Sequence, residues 1–410
     1  MSNAVVSAFK NKQLRKKLLF TTLILIVVRF GSQLPIPEID SAQISAYLKS
    51  TLGDSFSLLN SFTGGSFMQM SVFALSVTPY ITSSIIMQLM TIVIPALEEM
   101  QKDGEDGRKR MAKITRYVTV VLAIIEGAGL AIGFANQGAL GTDYTTFTIV
   151  TMIIALTAGA VLVMWLGERI TESGIGNGIS IILLINIVAR IPNDLSNLYQ
   201  NYVAKPTDVT SKIIAAVIIL AIIVAMFVFI VFLQDGERRI PVQYSKKIQG
   251  RKQVGGQSTH IPLKVNTSGV IPVIFAQSLL QTPVIIASLL GKGNGTGIGS
   301  KILKGMSQSN WCNPNEPIYN IGLVVYIILI IAFAYFYTSI TFNPLEISNN
   351  MKKQGGFIPG IRPGKPTVDY LNKILKYIIF IGAAGLTIVA GVPFFFNGVF
   401  GASVSFGGTS

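Results

Sequence analysis

Two ionisable side chains stand inside the long apolar blocks of this 410-residue chain, Arg29 and Glu126. A carboxyl in the middle of AIIEGAGLAIG costs roughly 2.5–3.5 kcal/mol on membrane-insertion scales, so Glu126 should face a cavity or a partner. Arg29 lies near the outer end of its block, where a long basic side chain can snorkel to the interface. Elsewhere the chain is poor in reactive groups. A single cysteine, Cys312, excludes internal disulfides, and a single histidine, His260, excludes the usual histidine-based metal sites and triads. His260 reads as structural. There is no P-loop, HExxH, serine elbow or dinucleotide glycine fingerprint. The run Gly174-Ile-Gly-Asn-Gly178 lacks the lysine of a phosphate loop and opens an apolar block, so its glycines suit a helix start or a close helix approach. A proton-coupled carrier usually needs more than one intramembrane carboxyl, and an ATP-driven pump needs a nucleotide site. Any transport must draw its energy from elsewhere, and the chain reads as a non-enzyme with no cofactor.

The elements that hold these residues are membrane spans. Half of the residues are hydrophobic and only 13% are charged, where a soluble chain carries nearer a quarter. The apolar residues fall in blocks rather than stripes, which predicts an all-α polytopic membrane protein. Nine spans are expected, at 18–34, 76–97, 115–136, 146–167, 175–191, 211–233, 269–291, 319–342 and 371–393. The first follows Lys10, Lys12, Arg15, Lys16 and Lys17 but is followed by Leu34-Pro35-Ile36-Pro37 rather than by a small-residue cleavage site, so it is read as retained. Of the 33 Lys and Arg residues, 25 fall on the N-terminus and alternate loops, against 7 on the opposite side. That bias sets the N-terminus in the cytoplasm.

Residues 61–97 hold more apolar sequence than one crossing needs. Thr78 to Leu97 is already about the ~20 residues of a span. Ahead of it, SFTGGSFMQMSVFAL is half a span long, broken by Gly64-Gly65 and set apart by Pro79. Irregular backbone at membrane depth survives only when buried in protein or lining an aqueous cavity. A surplus half-helix beside a full one therefore predicts an element inside a pore. Two cytoplasmic loops, 234–268 and 343–370, exceed what topology requires. They are basic, rich in glycine turns, and suited to an acidic partner such as RNA, anionic lipid or an acidic protein surface.

Several segments, in order, resemble the SecY family, the channel subunits of the bacterial protein-secretion translocase. They are FGSQLPIPEID (Phe30–Asp40), VTPYITSSIIMQLMTIVIPAL (Val77–Leu97), EDGRKRMAKITRY (Glu105–Tyr117), MWLGERITESGIGNGISI (Met164–Ile181), QSTHIPLKVNTSGVIPVIFAQS (Gln257–Ser278), FNPLEISNNMKKQGGFIPGIRPGKPT (Phe342–Thr367) and FGGTS (Phe406–Ser410). The resemblance implies a SecY-like bundle of two inverted repeats closing like a clam about a central pore. Its halves would be 1–191 and 211–410, hinged at 192–210. In the family a tenth span follows FGGTS, and this sequence stops at Ser410, so the expectation is nine spans with the tenth missing.

The resemblance also implies roles for residues. A ring of flexible aliphatic side chains closes around a moving chain and excludes water when empty. It falls on Val77, Ile81, Ile179, Leu183 and Ile274. The plug that blocks the outer side of the ring falls on 61–74, with Phe62, Gly64, Gly65, Ser66, Phe67, Met68 and Met70. The polar groups of the lateral exit fall on Gln88, Glu126, Asn177, Gln277, Ser278 and Gln281. Docking of the SecA motor ATPase or the translating ribosome falls on Arg362, then Arg238, Arg239, Arg251 and Lys252. Implied partners are the small membrane subunits SecE and SecG, SecA, the ribosome, a signal peptide or secretory precursor, and the lipid bilayer of the bacterial plasma membrane. The alternative is a secondary transporter of a small solute, which shares broken helices and repeats but needs a polar midplane site.

Overall fold

A computed structural model describes residues 11–37, 39–48, 60, 63–136, 138, 140, 144–200, 209–244, 247–249, 252–254, 258–289, 298–308, 311–312 and 317–400. The chain divides into two units, Met1–Ser196 with Pro283–Lys304, and Asn197–Thr282 with Gly305–Ser410.

The first unit is helical, and each helix starts on a readable signal. α1 (Lys12–Gly31) begins where the Asn11 side chain accepts from the Gln13 amide, and α2 (Ser41–Tyr47) where Asp40 accepts from Ala42 and Gln43. α3 (Thr78–Val93) opens on Pro79, whose missing N–H is no loss in a first turn. Pro95 then stops it: Ile94 is extended, and the chain turns by 109° into α4 (Pro95–Lys102). The expected span 76–97 is thus a shorter helix with a sharp bend. α5 (Gly104–Asn136) runs from the basic loop through the third apolar block, and α6 (Thr146–Ser173) starts on a capping box between Thr145 and Thr148. α7 (Gly178–Val188) and α8 (Ile191–Leu198) complete the unit's first segment.

Packing of α3, α5 and α6 uses small and polar contacts as well as apolar ones. The Ser83 and Thr119 hydroxyls meet at 2.5 Å, and Arg116 Nε donates to Glu168 Oε1 at 2.7 Å. Ala123, Leu130, Ala131 and Phe134 of α5 are buried against Met152, Leu156 and Ala160 of α6. At the α6–α7 corner the Gly178 amide donates to Thr171 Oγ1 at 2.9 Å, and a methyl on Gly178 would strike the Gly167 carbonyl.

The second unit opens with α9 (Val209–Asp235), followed by β1 (Glu237–Tyr244), β2 (Lys247–Gln249), β3 (Lys252–Val254) and β4 (Ser258–Lys264). α10 (Ile271–Leu289), with Pro283 inside it, and α11 (Ile298–Met306) cross the division between units. α12 (Asn320–Thr341), α13 (Pro344–Lys353), β5 (Gly356–Phe357) and α14 (Lys365–Phe400) follow. β1 pairs antiparallel with β4 from Glu237↔Lys264 to Gln243↔Ser258, and with β5 at Gln243↔Phe357 and Tyr244↔Gly356. This sheet corrects the all-α expectation. The alternation in RRIPVQY, which buries Ile240 and Val242 under Leu371 and Leu375 of α14, is a strand pattern inside a stretch read as loop. Farther along α14 a second cluster gathers Trp311, Tyr326 of α12 and Phe394, with the indole donating to the Gly305 carbonyl at 2.8 Å.

Among the described residues, five helical stretches are long and apolar enough to cross a membrane: α5, α6, α9 from Ala216, the run Pro317–Lys353 through α12, and α14 as far as Phe395. α3 with α4 makes a sixth if the bent pair is one span, and α7 and α10 are shorter apolar helices. The chain is a multi-pass membrane protein.

Gly178→Ala is expected to lower stability by about 1–3 kcal/mol through overpacking at the α6–α7 corner. Gly129→Ala, with open space around it on α5, should be neutral or stabilising by up to ~1 kcal/mol. Thermal unfolding of the two variants in the same lipid environment measures the contrast.

Candidate functional site

Residues 63–77 lead into α3. In place of the expected half-helix over 61–74, the described part of this segment is a succession of turns. Gly64 and Gly65 both have positive φ (+67° and +92°), a region open to glycine, and Met70 and Ser76 repeat it without that freedom. Local bonds close the turns: Gly65 N–H to the Asn60 carbonyl, Ser66 Oγ to the Thr63 carbonyl, and Ser71 N–H to the Ser66 carbonyl. The segment also borrows a partner strand. Ile36 N–H donates to the Met70 carbonyl at 3.1 Å and Val72 N–H to the Leu34 carbonyl at 2.9 Å. Pro35 and Ser71 thereby face each other as a non-hydrogen-bonded antiparallel pair, so the missing N–H of Pro35 costs nothing.

The segment is built into the core of its unit. Phe67 and Met70 are fully buried with Ile36, Ile44, Ala74 and Leu156, and Met68 packs against them half-buried. Ser66 and Ser71 are buried too, and the Ser71 hydroxyl finds no partner among the described residues. Phe62 lies outside the described residues. The segment is more tightly seated than its small and polar composition suggests.

Val77, Ile81, Ile179 and Leu183 come together in one apolar cluster, with Phe73 and with Ile24 and Val28 of α1. Val77 and Ile179 are buried, while Ile81 and Leu183 stay half-buried. Pro79 starts the helix under the first pair, and the Asn177 cap starts the helix under the second. Ile274 lies half-buried on α10 in the other unit.

The polar candidates differ in setting, three in each unit. Gln88 is exposed on α3, and Glu126 is half-buried on α5. Asn177 is exposed, and its Oδ1 accepts from the Ile179 and Ser180 amides as the cap of α7. Gln277 is buried on α10 facing the Tyr326 phenol, Ser278 is exposed, and the Gln281 side chain lies outside the described residues. Three contacts escaped the reading of the sequence. Arg29 has a partner within the protein, its Nη1 donating to the Gly64 carbonyl at 3.3 Å. Asn186 Nδ2 donates to Ser76 Oγ at 3.1 Å, and the Phe73 ring lies on Gly31 with no room for a Cβ. The only signal for Arg29 was a charge inside an apolar block.

Arg238 and Arg239 are exposed on β1, and Arg239 pairs with Glu237 two residues back on the same face. Arg362 is exposed on a tight turn between Gly360 and Gly364, both at positive φ, with its carbonyl held by Thr367 Oγ1 at 2.9 Å. Arg251 and the Lys252 side chain lie outside the described residues. The β1–β5 pairing joins the two long basic loops into one sheet.

The SecY family model matches residues 71–410. The protein translocase subunit SecY of Corynebacterium glutamicum is 41% identical over 95% of this chain and 88% of its own length. That of Streptomyces galbus is 43% identical, over 100% of this chain and 93% of its own. Among solved structures, a protein-conducting channel aligns with a TM-score of 0.62 at 19% identity, covering 96% of this chain and 88% of that one. A SecY protein whose plug domain stabilises the closed state of the translocation channel aligns with a TM-score of 0.63 at 20% identity, covering 96% and 89%. Sec61 in the canine ribosome-channel complex gives 0.61 at 18%, again covering 96% and 89%. The structures share the fold, and the relatives share the sequence over nearly its whole length: this chain belongs to the SecY family.

Proposed function

We propose that this chain forms a protein-conducting channel. It moves unfolded secretory polypeptides across the bacterial plasma membrane and releases apolar segments sideways into lipid, driven by the SecA ATPase or the translating ribosome. One arrangement carries the reading beside the family membership: a buried, irregular segment runs directly into a helix whose first residues join an aliphatic cluster with Ile179 and Leu183. An aliphatic constriction binds no passing residue strongly and dewets when empty. On this reading Val77, Ile81, Ile179, Leu183 and Ile274 form the ring, and Phe62, Gly64, Gly65, Ser66, Phe67, Met68 and Met70 belong to the plug. The family match and the relatives give no support to the small-solute alternative.

In this assignment nine helices are spans (α1, α3, α5, α6, α7, α9, α10, α12 and α14), with the N-terminus in the cytoplasm, as the Lys and Arg bias supports. Residues 1–191 and 211–410 are the two halves and 192–210 the hinge. Gln88, Glu126, Asn177, Gln277, Ser278 and Gln281 are assigned to the lateral opening by sequence resemblance, each such polar contact being worth about 0.6–2 kcal/mol. SecE and SecG are the small membrane partners. SecA and the ribosome dock on the basic loops at Arg362, Arg238, Arg239, Arg251 and Lys252, and the exposed turn around Arg362, its carbonyl held by the Thr367 hydroxyl, supports its place at the head of that set.

The direct test reconstitutes the chain with its small subunits in liposomes and adds SecA, ATP and a secretory precursor. Protease-protected precursor is expected, and its absence beside a working translocase overturns the reading. Ile81→Gly with Ile179→Gly should widen the constriction and raise resting ion conductance, read in planar bilayers. Arg362→Glu should cut SecA-driven translocation at least about tenfold, the loss expected when an arginine hot spot of ~2 kcal/mol is reversed, while thermal stability stays unchanged.

A further inference from the structure

The outer end of α1 grips the turn segment at three successive places. Arg29 Nη1 donates to the Gly64 carbonyl. Two residues on, Gly31 supplies a bare backbone floor for the Phe73 ring. Past the helix end, residues 34 and 36 exchange backbone hydrogen bonds with 72 and 70. Of the three, Arg29 alone contributes a charge, and this is the one hydrogen bond recorded for its guanidinium among the described residues.

Gly64 is shaped to receive that charge. At φ +67°, followed by Gly65 at +92°, the chain takes two left-handed steps that other residues adopt only with strain. A Cβ at Gly64 would lie 2.6 Å from Arg29 Nη1 and 3.1 Å from the Asn186 backbone. The missing side chain thus leaves the guanidinium its present place against the carbonyl, and a Cβ there would make it shift. The counterpart of the charge is a neutral peptide oxygen rather than a carboxylate. A hydrogen bond to a charged donor is stronger than a neutral one, yet it lacks the full attraction of an ion pair. Such a contact suits a seat that must hold at rest and release in use.

We propose that Arg29 is a positioning residue that latches the plug to α1, so that displacing the outer end of α1 unseats the plug. This rests on the assignment of the turn segment as the plug, and the test separates the two. Arg29→Gln in the reconstituted channel should raise resting ion conductance about tenfold, with Arg29→Lys intermediate because it keeps the charge and loses the fork geometry. Gly64→Ala leaves Arg29 intact, displaces the guanidinium and should leak in the same way, which covers the case in which Arg29→Gln folds poorly. In a Cys312→Ser background, Pro35→Cys with Ser71→Cys allows a mild oxidant to pin the segment through the facing pair. Oxidation should return Arg29→Gln to the parent conductance and, in the otherwise unaltered channel, block precursor translocation until a reductant is added. Unchanged conductance in both Arg29→Gln and Gly64→Ala, or an Arg29→Gln leak that survives pinning, overturns the latch. Undiminished translocation through the pinned channel overturns the plug assignment itself.

Discussion

Peptide groups that are neither helical nor in contact with water must find partners inside the protein, and residues 63–77 carry this requirement into the middle of the first unit. Its local turns satisfy part of it. The exit of α1 satisfies more, by lending residues 34–36 as a strand, and the guanidinium of Arg29 takes the Gly64 carbonyl. The Val72 carbonyl is approached so closely by α6 that Gly159 has no room for a Cβ. Asn186 reaches from α7 to Ser76. Three helices are thus arranged around the needs of one irregular stretch, and the aliphatic cluster of Val77, Ile81, Ile179 and Leu183 forms where that stretch ends.

This explains which parts of the fold were legible beforehand. Apolar blocks mark helices because a spanning backbone satisfies itself locally, so block positions follow from composition alone. Pro79 and Pro95 announce a start and a break through φ and the missing N–H, and only the second was overlooked. The surplus stretch before Pro79 was visible as an anomaly. Its turns were not, because the positive φ at Met70 and Ser76 is imposed by surrounding tertiary contacts. Asn177 shows the same limit from the other side. The family resemblance put it at the lateral opening, and the cap that its amide oxygen makes with the first amides of α7 was not announced.

In the second unit the overlooked element is the sheet. Glycines and basic residues around RRIPVQY masked a period-two pattern whose buried face is small, Ile240 and Val242. Its neighbour β5 has two residues, too short for any pattern to announce. The pairing nevertheless changes how the basic loops must be treated. Arg238, Arg239 and the turn around Arg362 rest on one backbone network anchored against α14, so they form a surface of fixed geometry instead of two independent tethers.

That network also has a timetable. Gln243 of β1 leaves the site of synthesis long before Phe357, its partner in β5, because α10 to α13 are made in between. Until then β1 has β4 on one side and an unpaired edge on the other. Open strand edges invite foreign chains, and charged residues are a standard defence. Glu237, Arg238 and Arg239 supply that defence at the start of β1. The surface as a whole is completed only when the nascent chain has passed residue 357, so a half-made subunit lacks the finished platform that a mature one presents.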